Sequence, residues 1–171
     1  AQGYDLVAAV MSVLEEKDYA GRPEQVFLQC FDDRTLQRLR HDIGTTLPLI
    51  QLIAENDWGE DSEVDYDYLQ TGEGLAYVAS YADGIGPWMM QIYRGRDASG
   101  EVMLSELADN AHQCGLAIHP YTFRSDQLPT GVNSFDELLE IFLKQARVDG
   151  LFTDFPDKAR HYIDSHLADD R

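Results

Sequence analysis

Three polar side chains interrupt apolar runs in this sequence, and they are the first candidates for chemistry. Gln29 breaks the run Val26–Phe31, Gln51 breaks Leu49–Ile53, and His119 breaks Leu116–Phe123. A carboxamide offers two donors and an acceptor, and an imidazole can take up a proton near neutral pH. Arg124, directly after the third run, brings a planar cation suited to an anionic group. Each residue also has a plainer reading. Buried amides and imidazoles commonly satisfy backbone groups, and Arg124 has Asp126 close by as a partner. A carboxylate within reach of His119 would instead make an acid–base pair, as in a different α/β enzyme. The sequence shows no nucleophile–base–acid set, no Gly-rich phosphate loop and no cluster with metal-ligand spacing.

Charge narrows the partners. The 171 residues include 13 Lys and Arg against 31 Asp and Glu, a formal charge of −18. Nucleic-acid binding rests on cations meeting phosphates, so this balance argues against it. A phosphate-bearing substrate would need a local positive centre, either an Arg or a metal ion. The acidic stretch 57–67 has oxygen ligands for a hard cation but lacks EF-hand spacing, and reads as a solvated loop. The two cysteines, Cys30 and Cys114, read as buried free thiols. The longest apolar runs fall well short of the roughly 20 residues of a membrane span. The opening AQGYDLVAAVMSVLEEKDY lacks the basic start and unbroken apolar core of a signal peptide.

The elements that must position these residues alternate. Helical spacing of Tyr4, Val7, Val10, Met11 and Leu14 predicts a helix over 4–17. A strand over 26–31 precedes a helix over 32–43, with Asp32 or Asp33 as N-cap and Leu36, Leu39 and Ile43 on one face. A strand over 47–53 leads into an irregular polar stretch over 54–74. A helix over 75–82, a strand or strand-like turn over 83–87 and a helix over 104–115, stopped by Gly115, come next. A strand over 116–123, a helix over 134–146 opened by a Ser134–Glu137 capping box, a strand over 149–155 and a helix with Pro156 in its first turn complete the chain. Such alternation means βαβ units and a parallel sheet, either an open doubly wound sheet or part of a (β/α) barrel. In both, function gathers at the C-terminal ends of strands, here Gln29–Asp33, Gln51–Asp57, Gly86–Trp88, His119–Arg124 and Thr153–Pro156. A period of two groups His119, Tyr121 and Phe123 on one face, and Phe27, Gln29 and Phe31 on another. Facing into a barrel, they would form an aromatic and amide-lined wall.

The segments VFLQCFD, LIQLIAENDW, YADGIGP, GLAIHPYTFRSDQLP and VDGLFTDFPDKA together resemble, in order and context, the glycerophosphodiester phosphodiesterases, most of all their bacterial periplasmic type. The resemblance covers nearly the whole chain. It implies a (β/α)8 TIM barrel of the phosphatidylinositol-phospholipase-C-like phosphodiesterase type, with residues 1–171 as the C-terminal portion of a single barrel domain. Members carry H-R-G, E-x-D, H-D and E-x-K motifs, which supply two histidines and the carboxylates that hold calcium or magnesium. This sequence has no H-R-G and no E-x-K at a strand end, and its His41–Asp42 lies at a helix end. The resemblance therefore places catalytic residues and metal ligands upstream of this chain, which alone should be inactive. It implies substrate-binding roles for Gln29, Phe31, Gln51, His119, Tyr121 and Arg124. Tyr121 stands where many relatives carry Trp and would pack on the apolar side of glycerol, with Phe31 doing the same from a neighbouring strand. Gln29 and Gln51 would be polar wall residues, and Asp154 would orient its neighbours. The implied reaction hydrolyses glycerophosphodiesters, such as glycerophosphocholine, to glycerol 3-phosphate and an alcohol, in the periplasm. The implied partner is a missing N-terminal barrel half or a second copy. The alternative is a non-catalytic half-barrel serving as a dimerising or interaction module.

Overall fold

Capping chemistry and apolar spacing set the element boundaries. The computed structural model describes residues 5–59 and 63–167, which form two compact units meeting between Ile85 and Gly86. In the first, Asp5 caps helix α1 (Leu6–Glu16), its carboxylate accepting from the Ala8 amide at 3.0 Å. Val7 and Met11 are buried, whereas Val10 is exposed. Val7 and Met11 lie four apart and nearly in line, and Val10 falls about 60° to the side of Val7, off that row. Tyr4 lies outside the described residues.

Strands β1 (Leu28–Cys30) and β2 (Leu49–Ile53) run parallel, with Leu28 opposite Leu49, Gln29 opposite Ile50 and Cys30 opposite Gln51. Between them, Asp32 caps α2 (Asp33–Gln37) by accepting from the Thr35 amide and hydroxyl. The helix continues with π geometry over Arg38–Ile43 and stops at Gly44, where φ is +73°. Leu36 and Leu39 are buried, but Ile43 is exposed, because the i→i+5 turn rotates it out of their row. Every residue of β2 is buried.

The acidic stretch is more ordered than its composition suggests. It holds a 3₁₀ turn (Asn56–Trp58), α3 (Tyr66–Leu69) capped by Asp65, and the start of α4 (Gly72–Val78) capped by Thr71. Buried Tyr66 and Leu69 anchor α3. Gly74 permits the close α3–α4 approach: a Cβ there would lie 2.0 Å from the Tyr68 carbonyl oxygen. Strand β3 (Gly84–Pro87) follows, and the order in this unit is β1-β2-β3.

In the second unit the end of β3 neighbours β6 (Ala117–Ile118). An antiparallel hairpin, β4 (Tyr93–Arg96) with β5 (Val102–Leu104), was not expected from the sequence. Helix α5 (Leu107–Gln113) ends at Gly115, φ +75°, as expected. The strand expected over 116–123 is regular only at Ala117–Ile118. Beyond it come single parallel bridges, Trp88 with Tyr121 and Phe123 with Thr153. Pro120 has no N–H to donate to a ladder. The strand expected over 149–155 is reduced to that bridge at Thr153. Helix α6 (Phe135–Glu140) continues with π geometry to Gln145. Half of its expected capping box forms. Ser134 Oγ accepts from the Glu137 amide, but the Glu137 carboxylate turns to the Asn133 amide and to Arg96. Pro156 opens α7 (Pro156–His166) as expected. Phe123 and Phe142 meet edge to face at 4.8 Å in the core of this unit. The fold is α/β with parallel strand pairing. Among the described residues no helix is long and apolar enough to cross a membrane.

Candidate functional site

The expected site residues fall in both units, three in each. In the first, the register that sets Gln51 opposite Cys30 brings its amide against the end of β1. Gln51 is fully buried. Its Nε2 donates to the carbonyls of Phe31 at 2.8 Å and Leu52 at 2.9 Å, and its Oε1 accepts from the Tyr81 hydroxyl at 2.9 Å. Both amide hydrogens and the carbonyl are thus engaged, and Gln51 ties β2 to the end of β1 and to Tyr81 from inside. Burial pushes the Tyr81 phenol well above its ordinary range, so it stays a donor. Gln29, one strand away, is exposed. Phe31 is half-buried and meets Tyr66 edge to face at 6.3 Å.

The carboxylates after β1 serve the helix that follows. Asp32 caps α2, and Asp33 accepts from the Tyr77 hydroxyl at 2.7 Å and from Gln37. In the acidic stretch, Asp65 accepts from Asn56 and the Tyr68 amide, which lowers its carboxyl from the ordinary range. Residues 60–62 of that stretch lie outside the described residues. His41 and Asp42 are exposed beside Arg34, Gln37 and Arg38. Arg38 forms a forked pair with Asp5 at 2.9 and 2.6 Å, which holds the Asp5 carboxyl down at about 2.

In the second unit His119 is half-buried, edge to face with Phe152 at 6.3 Å. Its ring lies over Gly150, where an added Cβ would come within 2.8 Å of Cδ2. Burial lowers its proton affinity, and the charge of Asp149 partly opposes this. The Asp149 carboxylate accepts from the Ile118 amide at 2.9 Å and stands 3.0 Å from His112 Nε2. Tyr121 is half-buried. Its amide donates to the Pro87 carbonyl at 3.0 Å, and its own carbonyl accepts from the Met89 amide at 2.8 Å.

Arg124 is held by two carboxylates, forked on Asp126 at 3.0 and 2.8 Å and also paired with Asp154. Asp154 thereby orients a neighbour, the role expected of it. The same turn contributes residues that the sequence reading missed. The Thr153 hydroxyl donates to the Phe123 carbonyl and accepts from the Phe155 amide, both at 2.9 Å. Lys158 donates to Ser125 Oγ at 2.8 Å and sits 5.1 Å from the centre of the Phe155 ring. The 149–158 segment is therefore laced to 121–126 by the Thr153 and Ser125 hydroxyls and by the Arg124–Asp154 ion pair.

Cys30 and Cys114 are free thiols, half-buried rather than buried. Among the described residues no group of three or more His, Cys, Asp or Glu side chains is placed to hold a metal ion.

Comparison with known proteins follows the same lines. The model of the glycerophosphoryl diester phosphodiesterase family matches residues 2–158. A glycerophosphodiester phosphodiesterase of Haemophilus influenzae is 31% identical over 94% of this chain and 48% of its own length. One of Treponema pallidum is 30% identical over 91% of this chain and 48% of its own length. The chain thus spans about half the length of these curated relatives. The crystal structure of a Silicibacter pomeroyi protein assigned as a glycerophosphoryl diester phosphodiesterase superposes with a TM-score of 0.61 at 21% identity, over 94% of this chain and 44% of that one. That likeness speaks for the fold, and the sequence match for the family: this chain belongs to the glycerophosphoryl diester phosphodiesterase family.

Proposed function

We propose that this chain is the C-terminal part of a (β/α)8 barrel whose whole hydrolyses glycerophosphodiesters to glycerol 3-phosphate and an alcohol. The observation that carries the reading is the family match over residues 2–158, made with half the length of the curated relatives. In the reaction, water adds to phosphorus, the bond to the head-group oxygen breaks, and that oxygen takes a proton. The histidines and the carboxylates that hold calcium or magnesium would come from outside this chain, and no step is assigned to its own residues. Its part is to bind. In the second unit the half-buried face of Tyr121 suits the carbon side of a glycerol moiety, and in the first unit Phe31 offers an aromatic face of the same kind. His119, neutral at pH 7, offers a hydrogen bond without a charge. Arg124 is already neutralised by Asp126 and Asp154 and would act as a fixed part of the rim. In the first unit Gln29 presents an exposed amide to a ligand, and Gln51 acts through the backbone it holds. The periplasm is the proposed location.

The test is release of glycerol 3-phosphate from glycerophosphocholine and glycerophosphoethanolamine with calcium or magnesium. The 171-residue chain alone is expected to give none. Fusion to the portion of the Haemophilus influenzae relative that it does not match is expected to give turnover. In that fusion Tyr121→Ala should raise KM about tenfold, the loss of roughly 1.4 kcal/mol of binding. Turnover by the isolated chain would sink the reading.

A further inference from the structure

We infer that Trp88 is a specificity-determining residue, standing beside Tyr121 in a two-ring wall that takes the quaternary ammonium of a choline-type head group. The inference rests on the proposed function and deepens it by naming the class of diester that this wall selects. The backbone sets the pair. The Tyr121 amide donates to the Pro87 carbonyl at 3.0 Å, and the Met89 amide donates to the Tyr121 carbonyl at 2.8 Å. Trp88 and Tyr121 are therefore bridge partners in parallel strands. Such partners project to the same face of the sheet, on backbones about 4.8 Å apart. Both residues are half-buried, so each keeps part of its surface open. Gly86, two residues before Trp88 and on the same face, contributes no side chain that could cover the indole from below.

Trp88 is also held in place. Its amide donates to Gln91 Oε1 at 3.0 Å, and its carbonyl accepts from the Gln91 amide at 2.8 Å. Gln91 is 1% exposed, and its own carbonyl accepts from Ser105 Oγ at 2.7 Å. A buried carboxamide spent on one residue's main chain fixes that residue before a ligand arrives, which lowers the entropy cost of binding.

The chemistry of the wall narrows the head group. Indole is the best ring face for a cation, and quaternary ammonium groups are held by adjacent aromatic rings. A trimethylammonium has no N–H to donate, so it needs faces rather than acceptors. Phe155, at the start of α7, already has cations beside it, with Arg124 at 6.0 Å and Lys158 at 5.1 Å from its ring centre. The formal charge of −18 draws a cationic head group and repels an anionic one.

The test uses the 171-residue chain with Trp58→Phe, which leaves Trp88 as its single tryptophan, and needs neither metal nor turnover. Glycerophosphocholine is expected to quench the Trp88 emission to saturation. Its Kd should be at least about threefold lower than that of glycerophosphoglycerol, whose head group is uncharged. Saturation-transfer NMR should place the trimethylammonium protons of the ligand nearest the aromatic protons of the protein. Trp88→Leu should make the two Kd values equal, as read from the ligand NMR signals, while Trp88→Phe, which keeps a ring, should keep a preference. No binding of glycerophosphocholine, equal affinity for the two diesters, or a preference that survives Trp88→Leu overturns the inference. Tighter binding of glycerophosphoserine overturns it too, in favour of the Arg124 and Lys158 cations. Turnover in the fused protein without a choline preference faults this inference alone. Selective binding with no turnover in the fused protein faults the proposed activity and leaves the wall standing.

Discussion

Gln29 and Gln51 are the same residue type in adjacent parallel strands, each interrupting an apolar run, and they have opposite fates. Gln51 lies in β2, flanked by β1 and β3, with its amide spent on Phe31, Leu52 and Tyr81. Gln29 lies in β1, at the end of the strand order, and is exposed. The difference teaches that a polar residue in a strand takes its meaning from the strand's place in the sheet. An interior strand forces the amide to find internal partners. An edge strand leaves it to water or to a partner.

The largest expected effect comes from breaking the interior member. Gln51→Leu keeps the volume but strands the Tyr81 hydroxyl and leaves the Phe31 and Leu52 carbonyls without this donor. Unpaired buried groups cost 1–3 kcal/mol each and do not add fully, so a loss of about 3 kcal/mol is expected in urea unfolding. Tyr81→Phe should couple to it: the double variant should lose about 1 kcal/mol less than the two singles combined. Additive losses would show that the Tyr81–Gln51 hydrogen bond contributes nothing.

His119 is the third interrupter, and it tests the comparison in the other unit. Gly150→Ala drives a methyl to within 2.8 Å of its ring, an overpacking that typically costs about 1–3 kcal/mol. In the His119→Ala background the same change should be nearly neutral. If Gly150→Ala costs as much without the imidazole, contact with His119 is not why glycine stands there.

These contrasts also mark what the sequence could disclose. Asp32, Gly115 and Pro156 announce their caps and stops through local chemistry, and each acts in the structure as its type suggests. The apolar run 49–53 is similarly plain, since five successive buried positions leave little else for it to be. The β4–β5 hairpin is not, because Tyr93-Arg94-Gly95-Arg96 has neither apolar alternation nor a two-residue turn signal. The coverage of Ile43 and of the two glutamines is illegible for a deeper reason. Whether a side chain is covered depends on a π turn or on strand order, and both are decided by distant packing. Arg124 was legible as an ion-pairing residue through Asp126, but its second carboxylate, Asp154, lies 30 positions away.

A smaller effect should appear as a pH dependence. Burial holds the folded pKa of His119 below its ordinary value, against the charge of Asp149, which also contacts His112. The unfolded chain therefore takes up the proton first. His119 favours the native state fully above about pH 6.5, and that contribution is lost as pH falls through the lower folded pKa. Trp88 is one of two tryptophans, so Trp58→Phe leaves a fluorescence probe within the second unit. Its unfolding midpoint in urea should fall between pH 7 and pH 5, and His119→Gln should flatten that decline. The lowered carboxyls of Asp97, Asp126 and Glu137 act below their ordinary values and so in a separate, more acid window. A slope unchanged in His119→Gln would assign the decline to another group.

The smallest expected effect completes the contrast with Gln51. Gln29→Ala removes an exposed amide from an edge strand and should change stability by no more than about 0.5 kcal/mol. The informative measurement is therefore not the free energy but the ratio of the two glutamine losses, with Gln51→Leu expected to exceed Gln29→Ala at least about fivefold. Comparable losses would mean that β1 is covered in solution by something that holds the Gln29 side chain. Repeating Gln29→Ala with the complementary half bound sharpens the same question. A residue silent in the free chain and costly in the complex has moved from the edge of a sheet to its interior, and its amide would then need internal partners, as that of Gln51 does.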